Sequence, residues 1–121
     1  MNRNLIFATS TEILSVPSDA AVYIVANGNY SLITTADGGN FMLTLQLGQV
    51  ERRIAELLEE NDNRFIRIGK SLIVNRNFVT FISPYRQKMV LSDCKTFRHE
   101  VSTSKEALKA LKELLEKGLE Q

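Results

Sequence analysis

The stretch "RFIRIGKSLIVNRNF", Arg64–Phe78, threads four cationic side chains through seven apolar ones and contains no acid. A core strand would exclude Arg64, Arg67, Lys70 and Arg76. A solvated loop would exclude Ile66, Ile68, Leu72, Ile73 and Val74. The ribbon is therefore expected to be half buried, with Leu72, Ile73 and Val74 in the core and Lys70 and Ser71 exposed at a loop or strand end. A half-buried ribbon whose ionisable groups are all basic anticipates an anionic partner.

Working outward, charge is divided unevenly along the 121 residues. Residues 1–63 hold three Lys/Arg against eight Asp/Glu, and residues 64–121 hold twelve against six, so a formal charge of only +1 conceals two opposed halves. Within 64–105 the ratio is nine to two, the electrostatic footprint of an anionic partner, and the interleaved apolar residues count against a mere solubility face. Apolar residues at 44% suffice for a core, and the length fits one domain. No basic segment followed by a long apolar run opens the chain, and no apolar run is long enough to span a bilayer, so a cytoplasmic protein is expected.

Period-two patterns dominate the first part. "LIFAT", "EILSVP", "VYIVA", "YSLITTA" and "FMLTL" read as strands. Asn27-Gly28 has the chemistry of a tight type I′ hairpin, and Asp37-Gly38-Gly39-Asn40 makes the next reversal. The period then becomes helical: Leu47, Val50, Ile54, Leu57 and Leu58 form one face of a helix over about 47–60. Beyond the ribbon, "FVTFI", "QKMVLS" and "TFRHEV" are further strands. A last helix over about 103–118 is expected, with Thr103 and Glu106 spaced as a capping box. The fold class is mainly β, with two short helices.

Catalysis finds little support. His99 is the only histidine and lacks the second histidine of a zinc-protease helix. Cys94 is the only cysteine, which excludes an internal disulfide and a cysteine-rich zinc site, and it reads as a turn residue. No serine sits in a nucleophile elbow and no glycine-rich loop opens a helix. No enzyme activity, cofactor or metal is expected. Aromatic residues are too thinly spaced for a single-strand stacking platform, so duplex DNA suits the chain better.

"FIRIGKSLIVN" resembles the signature of the LytTR family of DNA-binding domains. "DAAVYIVANGNYSLITTADG" is similar to that family's hairpin, "LGQVERRIAELL" to the helix before the signature, and "EVSTSKEALKALKELL" to the closing segment. The resemblance runs from about Asp19 to Leu115. It implies a LytTR-like domain over 19–121, with 1–18 an N-terminal extension of strands, and an elongated antiparallel β structure of small stacked sheets. It further implies a transcription regulator whose loops enter successive major grooves of duplex DNA, commonly at repeated sites. A homodimer on DNA and an upstream sensor or receiver protein are the partners it brings to mind.

Carried over residue by residue, the resemblance places a base contact on Lys70, with Ser71 bonding phosphate beside it. A first-loop contact falls on Tyr30, with Asn29 adjacent; a phosphate contact falls on Gln46, and a contact before the last helix on Ser104 or Lys105. Gly69 stands where many members have histidine, which removes a side-chain contact but lets the backbone come closer. Ser104 stands near a place where arginine is common, and Cys94 replaces the usual turn glycine. These departures leave an alternative open, a protein-interaction module on the same fold with weak or lost DNA binding.

Overall fold

The computed structural model describes residues 3–119. The chain falls into two compact units, residues 1–77 and 78–121. Among the described residues it is mainly β, three antiparallel sheets with two α-helices, as the periodicity predicts.

In the first unit, β1 (Asn4–Ala8) and β2 (Ile13–Pro17) form a hairpin. β3 (Ala21–Asn27), β4 (Tyr30–Thr35), β5 (Asn40–Leu43), β6 (Phe65–Ile68) and β7 (Leu72–Asn75) form a five-stranded sheet in the order β5-β4-β3-β7-β6. Helix α1 (Leu47–Leu57) packs on β1, β3 and β4. Leu5, Phe7 and Val16 of the hairpin, Leu47, Val50 and Ile54 of the helix, and Ile24, Ile33 and Ile73 of the sheet share one core. Removing these side chains from water is the main force that holds the unit together. The family-like ribbon is the β6–β7 hairpin, and β7 is buried along its whole length, so Leu72, Ile73 and Val74 are core as expected. Asn75, also fully buried, donates through its amide to the Ala21 and Ser18 carbonyls (2.9 and 3.4 Å) and accepts from the Asn77 amide (3.0 Å). A buried amide so satisfied fastens the end of β7 to the start of β3.

Two local expectations are corrected. The β3–β4 turn pairs Asn27 with Tyr30, so Gly28 and Asn29 are its central residues. Only Gly28 has a positive φ (63°), which is the sign pattern of a type II′ turn and not of type I′. Helix α1 ends at Leu57 and not near residue 60. The Leu58 amide still closes the last turn on the Ile54 carbonyl (3.0 Å), but Leu58 itself is extended and puts its side chain into the core.

In the second unit, β8 (Val79–Ser83), β9 (Lys88–Ser92) and β10 (Arg98–Ser102) form a sheet in the order β10-β9-β8, and helix α2 (Lys105–Leu119) packs on β8. Met89, Val90, Leu91, Leu108 and Leu111 are buried, and Phe78 meets Phe97 edge to face at 5.1 Å. Helix α2 begins two residues later than expected. Ser104, not Thr103, caps it, its hydroxyl accepting from the Ala107 amide (3.1 Å).

The β9–β10 turn is organised by Asp93, whose Oδ1 accepts from the amides of Lys95, Thr96 and Phe97 (2.9, 2.7 and 3.1 Å). The Thr96 hydroxyl and these amides hold its carboxyl well below the usual range. Cys94 in this turn is exposed with φ 61°, a left-handed conformation that crowds any Cβ. Cys94→Gly relieves that crowding at some cost in chain entropy, for a net gain of about 0.5–1 kcal/mol. The urea midpoint should rise at unchanged slope, and a lower midpoint would refute the reading of strain.

Candidate nucleic-acid interface

Three segments of the first unit converge on one rim of its five-stranded sheet. The β3–β4 turn ends two central strands there. The β6–β7 turn, Gly69–Ser71, lies at the same end, because Leu72 pairs with Val25 and the Ala26 amide donates to the Ser71 carbonyl (2.9 Å). The start of α1 joins them: the Gln46 side-chain amide donates to Asn29 Oδ1 (3.3 Å), and Ser31 Oγ donates to the Leu45 carbonyl (2.7 Å). Asn29, Tyr30, Gln46, Gly69, Lys70 and Ser71 are thereby gathered on one rim, and all six are exposed. Asparagine, glycine, serine and glutamine dominate these segments, and residues 27–31, 44–50 and 69–71 contain no carboxylate.

The start of α1 adds polarity of the same sign. No acid occupies its first turn, and the Gln46 amide is satisfied by Gln49 Oε1 (2.8 Å). The remaining free amides of a helix start favour an anion. Lys70 makes no ion pair among the described residues, so its ammonium stands unneutralised on this rim. In the second unit, Ser104 and Lys105 are exposed at the start of α2. The Ser104 oxygen caps the helix, which leaves its O–H to donate outward.

The basic ribbon is less free than its composition indicates. Arg64 bonds the Ser18 hydroxyl and pairs with Asp62 at 3.5 Å. Arg67 pairs with Glu51 at 2.8 Å. Farther on, Lys88 and Arg98 both pair with Glu100 (3.0 and 3.3 Å), and these cations, Lys88 foremost, lower the Glu100 pKa. Four of the nine cations in 64–105 are thus occupied by acids, leaving Lys70, Arg76, Arg86, Lys95 and Lys105. Among the described residues no cluster of His, Cys, Asp and Glu could hold a metal ion, and no helix is long and apolar enough to cross a membrane.

Comparison with solved structures finds a similar fold, with a TM-score of 0.62, in a chain described as the LytTr DNA-binding domain of a methyl-accepting/DNA response regulator from Bacillus cereus. The two chains are 22% identical, and the likeness covers 93% of this chain and 96% of that one. A comparison with curated proteins gives no match. The family model of the LytTr DNA-binding domain matches residues 11–116, starting inside the stretch that sequence reading set apart as an extension. With a match over nearly its whole length, the chain belongs to the LytTR family of DNA-binding domains, a non-catalytic family.

Proposed function

We propose that the chain is a sequence-specific, duplex-DNA-binding transcription regulator, with loops inserted into successive major grooves at repeated sites. The observation that carries this reading is the rim of the first unit, where Lys70, unpaired and exposed, stands with Ser71, Asn29, Tyr30 and Gln46. Its chemistry divides the work: a lysine donates to guanine O6 and N7, while hydroxyls, amides and a helix start suit phosphate oxygens. Ser104 and Lys105 supply a further contact from the second unit. Binding as a homodimer, under control of an upstream sensor or receiver, completes the reading.

Salt dependence tests it. Each neutralised phosphate releases condensed counterions and contributes about −0.9 to the slope of log affinity against log salt. With four cations of the 64–105 segment occupied by acids, that segment should contribute a negative slope no steeper than about −4.5 per bound protomer, the value for five contacts. Fluorescence anisotropy of a labelled duplex across a salt series measures it. Affinity indifferent to salt would overturn the electrostatic basis, and absence of duplex binding would favour the protein-interaction module.

A further inference from the structure

Arg67 spends its guanidinium on its own hairpin. Nε donates to the Gly69 carbonyl (3.1 Å), Nη2 to the Lys70 carbonyl (2.9 Å) and Nη1 to Glu51 Oε1 on α1 (2.8 Å). One planar fork thus fixes two successive peptide units, and a helix acid fixes the fork. In a trans peptide the C=O and N–H point in opposite directions, and no described peptide bond is cis. With both carbonyls turned to Arg67, the amides of Lys70 and Ser71 face the other side of the turn. Among the described residues neither amide has a hydrogen-bond partner, and both lie in an exposed turn. Gly69, at φ 59°, supplies the left-handed step that opens the turn. Successive outward amides in such a turn form an anion-binding concavity. The same two residues carry an ammonium and a hydroxyl, and both are exposed.

We infer that the main-chain amides of Lys70 and Ser71 form a cradle for one DNA phosphate, and that Arg67 is the residue that positions it. The inference rests on the proposed DNA binding and deepens it. Arg67 contributes by arranging the backbone and does not itself touch DNA. Glu51 acts through Arg67: although its charge opposes that of DNA, it holds the guanidinium against the turn. The cradle also gives a role to the glycine at position 69, where a side chain would strain the turn.

The test uses proton–nitrogen spectra of the full chain during titration with a mixed-sequence duplex. In the parent, the Lys70 and Ser71 amide protons should move downfield as they bond phosphate. In Arg67→Ala those two shifts should vanish while Asn29 and Tyr30 still respond, with affinity about tenfold lower, the scale of one lost charged hydrogen bond. Arg67→Lys should restore only part of the shifts, because one ammonium lacks the fork that spans both carbonyls. Should Arg67→Ala fail to fold, Glu51→Ala decides. In Glu51→Ala a positioning Arg67 loses its anchor, so the Lys70 and Ser71 shifts should shrink while Asn29 and Tyr30 still respond. The amide shifts are read and not affinity, because loss of the acid's charge by itself favours DNA. Duplex binding by the parent without downfield movement of the two amides, survival of those shifts in Arg67→Ala, or undiminished shifts in Glu51→Ala would each overturn the cradle and leave DNA binding intact. No duplex binding by the parent would overturn both.

Discussion

Replacing Phe7 by alanine is expected to lower the unfolding free energy by about 3–5 kcal/mol. Phe7 is 1% exposed, and its ring lies in the core shared by the β1–β2 hairpin, α1 and the five-stranded sheet. Truncation removes the transfer free energy of the ring and leaves a cavity that a sheet held in register collapses into poorly. The hairpin is tied on at several points, so it is not free to slide into the gap. Arg3 reaches the Leu57 carbonyl (3.5 Å) and Glu59 (3.9 Å), and the Ser18 carbonyl after β2 accepts from the Asn75 side-chain amide (3.4 Å). Urea unfolding followed by circular dichroism measures the loss. A change below about 0.5 kcal/mol, the scale of an ordinary surface substitution, would show that the hairpin is an appendage and not part of the domain core.

That expectation reverses an emphasis of the sequence reading, which set residues 1–18 aside, and the reason is physical. Alternation in "LIFAT" shows that Leu5 and Phe7 share a face, but it carries no information about what covers that face. Where the deciding interaction was local, reading along the chain succeeded. The order of strands and helices follows from the change of period near Leu47, and the burial of Leu72–Val74 beside an exposed Lys70–Ser71 follows from the break in pattern between them. Near misses also had local causes. Thr103 and Ser104 are adjacent hydroxyls that compete for one cap, and Asn27-Gly28 and Gly28-Asn29 compete for the centre of one turn. The ribbon's cations were misjudged because their partners lie outside it, Asp62 just before Arg64 and others far along the chain. Arg67 meets an acid sixteen residues earlier and Arg64 a serine forty-six residues earlier, distances at which periodicity is silent. Asn75 is the same case in reverse, a polar residue drawn into the interior by carbonyls more than fifty residues away. The rim could not be assembled by spacing either. Asn29, Gln46 and Lys70 come from three separate segments, and only strand pairing brings them together.

Lys70→Ala should weaken binding to the preferred duplex by about 1–3 kcal/mol, the range for one good base contact, and flatten discrimination at one base pair. The argument begins with what holds the residue. Leu72, Ile73 and Val74 anchor the following strand in the core, and Arg67 fixes the carbonyls of Gly69 and Lys70, so the backbone beneath the side chain is set before DNA arrives. Its neighbours Gly69 and Ser71 are small, which lets the ammonium project past them. It makes no ion pair among the described residues, so binding need not first break one. An exposed lysine contributes little to the core, and the melting temperature of the variant should match the parent's. Two modes of contact are separable. Base readout lowers affinity for the preferred site more than for random duplex, whereas phosphate contact weakens all sequences alike and reduces the salt slope by about one contact. Base readout is the expected outcome, because the amides of Lys70 and Ser71 already offer donors to phosphate and leave the ammonium to the groove. Competition binding with a set of single-base variants of the preferred site makes the measurement. Equal affinity of Lys70→Ala and parent for both preferred and random duplex would remove Lys70 from the interface, and with it the residue on which sequence recognition by this rim depends.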